Sequence, residues 1–420
     1  MPCTAQETHS VMRILPPSAS PDSRLLLTAK GLRATADGFV SVILPAYLLL
    51  LGFGPLQIGL LATLALAGSA VMTLAVGNFS LGLTARGLLL LASGVMVVTG
   101  LAFATVGSFW VLLAVGFVGP LNPSAGDVSM FLPLEHSLLA GSVSEQDRTA
   151  LFSRYSLVGS LMGAAGSLLA AFPDLIVHHT GIAPVRAFQA MFLAYAAVGV
   201  ASGFVYRALS VGHLETTRVT PRPLGPSRRH VHRLAALFGV DAFAGGLFVQ
   251  SILALWLYRR FGLSVTVAAQ IFFMTNLASA LSFLAAAPLA RRIGLVNTMV
   301  FTHLPSNLCL VLIPFIPSVE WSVVLLILRS LLSQLDVPTR SSYVMAIVTP
   351  AERSAAASLT SVSRGLASAL GPVLSGYLLS LAAFGWPLLV GGLLKIGYDL
   401  SLFALFRKVR PPEEGGERHS

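Results

Sequence analysis

Long apolar runs recur along almost the whole chain, and they constrain its fold more than any other feature. Each run is about 20 residues or longer, the length that a helix needs to cross a hydrocarbon layer of about 30 Å. The runs are continuously apolar, whereas the strands of a membrane barrel alternate apolar and polar residues. The chain is 55% hydrophobic and only 10% charged, whereas a soluble domain is about 25% charged. The sequence therefore predicts an all-α, polytopic membrane protein.

Twelve membrane-spanning helices are predicted from these runs. Their expected extents are residues 25–50, 55–76, 84–106, 109–140, 147–172, 185–209, 233–259, 265–290, 294–315, 319–346, 351–382 and 385–408. The longest polar stretch between them is rich in Pro and Arg and divides the spans six and six. The predicted domains are an N-terminal tail (1–22), a six-helix bundle (23–209), a central linker (210–232), a second six-helix bundle (233–409) and a C-terminal tail (410–420).

The basic residues are distributed unevenly between the two sides of the membrane. Most of the 27 Lys and Arg residues lie in the tails and in loops on the side of the two termini, whereas Arg186, Arg259 and Arg260 lie on the other side. By the positive-inside rule both termini are cytoplasmic, and we expect the plasma membrane, which is the inner membrane in a bacterium. Basic loops beside an anionic leaflet explain the net charge of +10. The basic linker has no interleaved aromatic residues, so no nucleic-acid partner is expected.

The two halves of the chain are related in sequence. The stretch DRTALFSRYSLVGSLMGAAG (147–166) aligns with ERSAAASLTSVSRGLASALG (352–371), which brings Gly166 opposite Gly371. The same alignment brings Glu135 opposite Arg340. Both stretches end in rows of small residues, which let helices approach closely. A repeat of this length in a twelve-helix chain is typical of secondary transporters, whose site lies between the repeats near the middle of the membrane.

Three short motifs carry a family resemblance: LARRIGLVN (289–297), SALGPVLSG (368–376) and LRSLLSQ (328–334). The first is similar to the signature loop of the major facilitator superfamily. The second resembles the Gly-Pro row of its antiporters, and the third resembles an Arg-and-Gln motif of its fourth helix. In that family the last two occur in the first half, whereas here they lie in the second. The loop VGNFSLGLTARG (76–87) retains Gly77 and Arg86 but lacks the acid of the signature.

This resemblance implies a fold and a mechanism. The sequence resembles members of the major facilitator superfamily over all twelve predicted helices, so we expect two pseudo-symmetric six-helix bundles that rock about a central cavity. A small-molecule substrate, protons and the lipid bilayer are the expected partners. The carrier is expected to be a monomer without a cofactor or metal. The displaced motifs assign no subfamily.

Ionisable side chains inside the predicted spans are the main candidates for function. Each would cost about 3 kcal/mol at the centre of a bilayer, so most must pair or face water. Three pairs are spaced i, i+4 and so share a helix face: Arg33 with Asp37, Asp336 with Arg340, and Lys395 with Asp399. The simpler alternative is that these pairs serve insertion and packing alone. The remaining ones are Lys30, Asp127, Glu135, Arg154, Asp241, Arg329 and Arg364.

One stripe of the tenth predicted helix concentrates such charges. Arg329, Asp336 and Arg340 are spaced by seven and four residues, which places them on one helix face. The resemblance implies that helices 4 and 5 meet helices 10 and 11 at the cytoplasmic side when the carrier faces outward. We therefore predict a cytoplasmic gate in which Arg340 pairs with Glu135. In the same gate Asp336 is expected to pair with Arg154.

Three acids are candidates for proton coupling. Asp241 is the first, because no base on its own helix face keeps its carboxylate ionised. Asp127 is the second choice, and Asp37, one turn after Arg33, is a further candidate. The alternative for Asp241 is a buried acid bonded to a neighbouring helix. Its replacement by Asn should abolish proton-driven transport if it carries the coupled proton.

The candidates for the cavity wall are Arg33, Arg329, Arg364, His303 and Asn307. Two arginines at middle depth in the second half favour a carboxylate-bearing substrate through bidentate bonds. The alternative is that they neutralise buried acids. His303 and Asn307 lie one helical turn apart, and the alternative for His303 is a hydrogen-bonded packing group.

These features predict a secondary active transporter that works by alternating access. The leading function is proton-coupled efflux of a small organic compound, because the Gly-Pro row resembles that of antiporters. The alternatives are proton-coupled uptake of an organic anion, favoured by the intramembrane arginines, and a membrane sensor or scaffold that transports nothing. An enzyme is not expected, because no nucleophile motif, metal-ligand cluster or phosphate loop is evident.

Overall fold

The structure, a computed structural model, describes residues 19–78, 84–124, 131–143, 145–210, 225–349 and 352–407. Every regular element in these residues is a helix, so the all-α class is confirmed. In chain order the helices are α1 (Pro21–Leu50), α2 (Pro55–Asn78), α3 (Ala85–Thr105), α4 (Phe109–Val118), α5 (Phe131–Gly141), α6 (Glu145–Leu169), α7 (Phe172–Thr180), α8 (Pro184–Arg207), α9 (Arg228–Gly246), α10 (Gln250–Phe261), α11 (Val265–Ile293), α12 (Leu295–Leu312), α13 (Val319–Ser333), α14 (Asp336–Ile347), α15 (Arg353–Leu381) and α16 (Trp386–Phe406). A short 3₁₀ turn, Ile313–Phe315, follows α12.

Three of the predicted spans contain two helices each: α4 with α5, α9 with α10, and α13 with α14. The prediction of one unbroken helix in each of these spans is wrong. Glycine weakens a helix and proline lacks the N–H that would continue one; α9 ends at Gly245 and Gly246, and Pro173 is the second residue of α7. When each of these pairs is counted as one crossing, and the short α7 is counted with α6, the helices are compatible with twelve crossings. Within the described residues, nine helices or helix pairs are long and apolar enough to cross a membrane.

The repeat seen in the sequence corresponds to equivalent helix contacts. A Cβ atom added to Gly166 on α6 would collide with the backbone of Thr35 on α1. A Cβ atom added to Gly371 on α15 would collide with the backbone of Gly246 on α9. The first and fifth spans of each half therefore pack closely through matching glycines. The two bundles are pseudo-symmetric, as predicted, whereas the exact domain boundaries stay predictions.

The two halves contact each other at one end of the bundle. We call the end where α1 begins and α16 ends the terminal end, and the opposite one the far end. At the far end Tyr258 donates a hydrogen bond to the carbonyl of Val42 (3.0 Å). Thr266 on α11 donates two bonds to the Asp174 carboxylate on α7, from its backbone N–H (2.9 Å) and its hydroxyl (2.7 Å). The halves are thus joined by polar contacts at the far end.

The outer surface of the bundle is apolar. Trp110, Phe204 and Trp321 are 72%, 68% and 65% exposed. Side chains of this size would form adhesive patches on a water-soluble protein, whereas they fit the hydrocarbon of a bilayer. The interior between α1, α3 and α8 is filled by aromatic rings, among them Tyr47 and Phe192 with centroids 4.9 Å apart.

Candidate functional site

A cavity of about 660 Å³ lies between the two halves. It extends toward the terminal end, where it is bordered by Thr73 and Leu74 on α2 and by Ser361 and Val362 on α15. Nearer the far end α2 and α15 touch, since Thr63 accepts a hydrogen bond from the backbone N–H of Val373 (2.9 Å). The cavity is therefore open toward the terminal end and closed toward the far end.

In the part of the chain that the structure describes, the charged residues of the cavity wall all come from the second half. Among the described residues, the first half contributes apolar and hydroxyl side chains: Leu66, Ala70, Thr73, Leu74, Ser124, Leu132 and Pro133. The second half contributes the ionisable ones: Asp241, His303, Arg329, Asp336, Arg340, Arg364 and Lys395. Arg329, Arg364 and His303 border the cavity in this conformation, and their role in substrate binding stays a prediction. Asn307 lies just behind His303.

Asp241 on α9 is the centre of the charged wall. Its side chain is buried, and Lys395 on α16 donates a hydrogen bond to Oδ1. Arg340 Nη2 lies 3.3 Å and Arg364 Nη1 lies 3.2 Å from Oδ2. The expectation that no base keeps this carboxylate ionised is therefore wrong: it considered only the same helix, whereas α14, α15 and α16 each supply a cation. Three nearby cations favour the charged carboxylate.

Of the two i, i+4 pairs predicted in the second half, one forms and the other does not. Asp336 and Arg340 contact each other, as their spacing predicts. Lys395 instead contacts Asp241, and Asp399 accepts hydrogen bonds from His303 Nδ1 (2.8 Å) and Asn307 Nδ2 (2.8 Å). The prediction of a Lys395–Asp399 pair is corrected, because the helices packed against α16 offer both side chains nearer partners.

Arg329 on α13 faces the cavity without a carboxylate partner. Its guanidinium carbon lies 4.8 Å from the ring centroid of Phe248, a distance at which a cation and an aromatic face attract each other. Within the described part of the chain no acid lies within ion-pair distance of Arg329, and its Nε has no hydrogen-bond partner. Arg329, Asp336 and Arg340 all line the cavity in this conformation.

The predicted gate residue Glu135 belongs to a cluster inside the first half. Arg33 contacts its Oε2, and Tyr206 donates to its Oε1 (2.6 Å). Tyr155 also donates to the carboxylate. Arg33 lies over the ring of Phe131, with its guanidinium carbon 4.1 Å from the ring centroid. The cluster lies away from the cavity, so the prediction of Arg33 as a cavity residue does not hold in this conformation.

The predicted gate pairs are not formed in this conformation. Glu135 contacts Arg33, and Arg340 contacts Asp336 and Asp241, so each side chain is bonded within its own half. Arg154 on α6 has a buried Nη1 without a hydrogen-bond partner in the described residues. Because the gate was predicted for a conformation closed at the terminal end, and the present one is open there, the pairing stays a prediction.

The two other proton-coupling candidates lie in the first half. Asn122 Nδ2 lies 3.5 Å from Asp37 Oδ2, at the limit of a hydrogen bond. Asp37 does not border the cavity described above. Asp127 lies outside the described residues.

A cluster of neutral polar side chains, which we call the floor cluster, was not predicted. It consists of Ser41 on α1, Ser167 on α6, Gln250 on α10 and Asn276 on α11. Gln250 Nε2 donates to Ser41 (2.9 Å) and Ser167 (3.2 Å), and Asn276 Nδ2 donates to Ser167 (2.9 Å). The cluster joins the halves beneath the cavity, which Gln250 and Asn276 line. Its sequence signal is the glycine pair 245–246 just before Gln250, which marks a helix break.

The model of the Major Facilitator Superfamily matches residues 26–335 and 234–420 of the chain. The chain belongs to the major facilitator superfamily. A relative is an uncharacterized membrane protein of Saccharomyces cerevisiae, 24% identical over 92% of this chain and 94% of its own length. Among solved structures, the nucleoside transporter NupG superposes with a TM-score of 0.70 at 15% identity, covering 92% of this chain and all of that one.

A second structural neighbour is a bacterial homolog of the human lysosomal transporter Spinster in an inward-facing, unoccupied conformation. It superposes with a TM-score of 0.66 at 16% identity over 92% of this chain and 96% of that chain. At these identities the likeness concerns the fold. As a member of the superfamily, the chain is a multi-pass membrane protein that acts in transmembrane transport, and it is not an enzyme. No group of three or more potential metal ligands occurs among the described residues.

Proposed function

We propose that this superfamily member transports small organic anions across the membrane by alternating access, coupled to protons. The observation that carries the proposal is Arg329, a cation on the cavity wall with no carboxylate partner among the described residues. A positive charge in such a place is costly unless it is compensated. A bound carboxylate would compensate it through bidentate hydrogen bonds.

The charge balance of the cavity wall also favours an anion. Its described side chains include four cations but only two carboxylates, those of Asp241 and Asp336. Arg364 is the most exposed of the cations that contact Asp241, at 35% of its side chain. A substrate carboxylate can therefore reach Arg364 as well as Arg329. The volume of about 660 Å³ suits a small organic molecule.

We also propose how the carrier is oriented in the membrane. The excess of basic loops on the side of the termini supports a cytoplasmic location for both, in the plasma (inner) membrane. In that orientation the cavity opens to the cytoplasm, and the far-end contacts close the path to the outside. The carrier is proposed to work as a monomer.

Two directions of transport are candidates, efflux and uptake. The sequence favours efflux through the Gly-Pro row on α15. In the structure Gly371 of this row packs on Gly246, and Gly376 packs on Gly59. Helix packing therefore accounts for the row, and both efflux and uptake of anions stay as candidates.

The test uses the purified carrier in liposomes that contain a pH-sensitive dye. Lactate, succinate, benzoate and the neutral or cationic compounds uridine and choline are added on one side, with and without an imposed proton gradient. We expect an organic anion to move together with a proton signal. Arg329→Gln should raise the KM for that anion roughly 10- to 100-fold, because a hydrogen bond to a charged group contributes about 1.5–3 kcal/mol. Exposed Arg186, replaced by Gln, is the matched control.

Two results would contradict the proposal. Transport of choline or uridine but of no anion would refute the substrate class. Anion transport that Arg329→Gln leaves unchanged would remove Arg329 from the binding site. Asp241→Asn tests coupling separately, and transport without proton movement in the wild type would exclude protons as the coupling ion.

A further inference from the structure

His303 lies between two carboxylates. Its Nδ1 is 2.8 Å from Asp399 Oδ1, and its Nε2 is 4.0 Å from Asp241 Oδ1. The ring is buried on α12, borders the cavity on one side and packs edge-on against Tyr398, with ring centroids 6.1 Å apart. Histidine is the side chain whose ordinary pKa lies closest to neutral pH. A proton carrier for this transporter is therefore best sought at this ring.

The contacts of Asp399 determine which ring nitrogen carries the hydrogen. An ionised carboxylate can only accept hydrogen bonds, so with Asp399 ionised the Nδ1–H of His303 donates to it, although Asn307 Nδ2 also lies 3.2 Å from Nδ1. Asn307 Nδ2 donates to the other oxygen of Asp399 at 2.8 Å. In the neutral ring Nε2 then has a lone pair, and this lone pair faces the Asp241 carboxylate. Nε2 and the Asp241 carboxylate are then two hydrogen-bond acceptors that face each other. A proton on Nε2 would turn this contact into an attraction between opposite charges.

We propose that His303 holds the transported proton on Nε2, and that this proton and the organic anion bind cooperatively, so that the carrier is a proton–anion symporter. The inference rests on the proposed function, because it assumes an anionic substrate. No proton is created or lost in the step: solvent in the open cavity supplies it, and it is released when the cavity opens on the other side. Asp241 stays ionised throughout.

The cooperativity follows from the contacts of Asp241. Lys395 contacts Oδ1 of Asp241, and Arg364 and Arg340 lie at Oδ2. A protonated His303 becomes a fourth cation beside the same carboxylate and weakens its attraction for the other three. Arg364 is the one with its side chain most exposed to the cavity. It is therefore released toward a substrate carboxylate when His303 is protonated, and a bound anion in turn stabilises the protonated ring, since coupling is reciprocal.

Other charged residues surround His303, and they determine the net charge beside the ring. The titratable and charged groups on the helices packed around it are Asp241 (α9), Arg329 (α13), Asp336 and Arg340 (α14), Arg364 (α15), and Lys395, Tyr398 and Asp399 (α16). The three carboxylates balance Arg340, Arg364 and Lys395. Arg329 is left as an excess cation before His303 is protonated, and the proton makes the wall more positive still. The excess of positive charge therefore favours an anion before the protonation of His303, and more strongly after it.

The first measurement needs no substrate. Histidine labelled with ¹⁵N is incorporated into the whole carrier, and its NMR signals are followed from about pH 5 to 9, the range in which histidine titrates. His303→Gln identifies the signal of His303, and exposed His178→Gln is the matched control. We expect a neutral ring with hydrogen on Nδ1 that gains a second proton, on Nε2, as the pH is lowered. A ring with hydrogen on Nε2, or one that never gains a second proton, would overturn the proposal.

The second measurement is the ratio of protons to anions in liposomes, with lactate, succinate and benzoate as probes. We expect entry of an anion to carry a proton in the same direction in the wild type and in His178→Gln. In His303→Gln the ratio should fall to zero, which a merely structural role would not produce. An unchanged ratio, or protons that move opposite to the anion, would refute symport through His303. If the wild type moves no anion, the proposed function fails, and the NMR titration still decides whether His303 is a proton site.

Discussion

The close approach of α2 and α15 at the far end gives a sharp prediction about conformation. Gly376 on α15 faces Pro55 and Gly59 on α2, so the contact joins the two halves. A Cβ atom at position 376 would lie 2.5 Å from the carbonyl oxygen of Pro55 and 3.0 Å from the Cα of Gly59. These are backbone atoms, which cannot rotate away as a flexible side chain could. Gly376→Ala should therefore force the helices apart.

The size of the effect follows from this geometry. Ordinary carbon contacts begin at about 3.5 Å, so α2 and α15 must separate by roughly 0.5–1 Å. Overpacking of this kind typically costs about 1–3 kcal/mol. The strain arises only in the conformation that is closed at the far end. The equilibrium should therefore shift toward the conformation open at the far end, by roughly 5- to 150-fold.

The shift can be measured with spin labels at two exposed far-end positions, His179 in the first half and Leu381 in the second, in a cysteine-free background. Gly376→Ala should increase the population with a long distance between the labels. Gly365→Ala is the matched control, since it lies on the same helix and its Cβ would meet only the Ala70 Cβ at 3.8 Å. Identical distance distributions in the two variants would show that the far-end contact does not limit the closed conformation.

Three further predictions concern the acidic residues Glu352 and Glu135. The hydrogen bonds from Thr349 and Ser227 lower the pKa of Glu352 from 4.5 to about 2; the resulting stabilisation is complete above pH 4.5 and is lost as the pH falls toward 2. Glu352→Gln should therefore speed hydrogen–deuterium exchange at residues 225–232 at pH 7 but have less effect near pH 3. Glu135→Gln leaves Arg33 buried without its anion and should destabilise the carrier by about 3–5 kcal/mol, seen as a lower Tm in detergent. If Glu135 meets Arg340 when the terminal end is closed, Glu135→Arg with Arg340→Glu should recover transport that each single variant loses, and no recovery would count against the gate.

The helices and their close contacts could be predicted from the sequence, because both follow from local patterns. An apolar run of about 20 residues has few alternatives to a membrane helix. Rows of small residues predict close approach, and Gly166 and Gly371 do lie at equivalent helix contacts. The helix breaks were missed because an apolar run continues across them. At the break between α9 and α10, Leu247, Phe248 and Val249 are as apolar as the helices on either side.

The partners of the buried charges could be predicted only in part. The i, i+4 rule describes one helix, and such a pair contributes only about 0.2–0.5 kcal/mol. A buried carboxylate with no nearby cation is far more costly, so contacts between helices decide the pairing. Lys395 therefore reaches across to Asp241 although Asp399 lies one turn away on its own helix. Asp336 and Arg340 keep their local contact because both also face the cavity.

The two halves share a fold but place their buried charged residues differently. In the first half the Glu135 cluster is closed, since the carboxylate accepts bonds from Arg33, Tyr155 and Tyr206 and lies away from the cavity. In the second half the charges line the cavity, and Arg329 has no carboxylate partner in the described residues. Rocking of one half against the other changes the water around the second cluster much more than around the first. A pseudo-symmetric backbone can therefore carry different chemistry in its two halves. Variants at the cavity wall of the second half should change coupling and affinity. Variants in the first-half cluster should change stability.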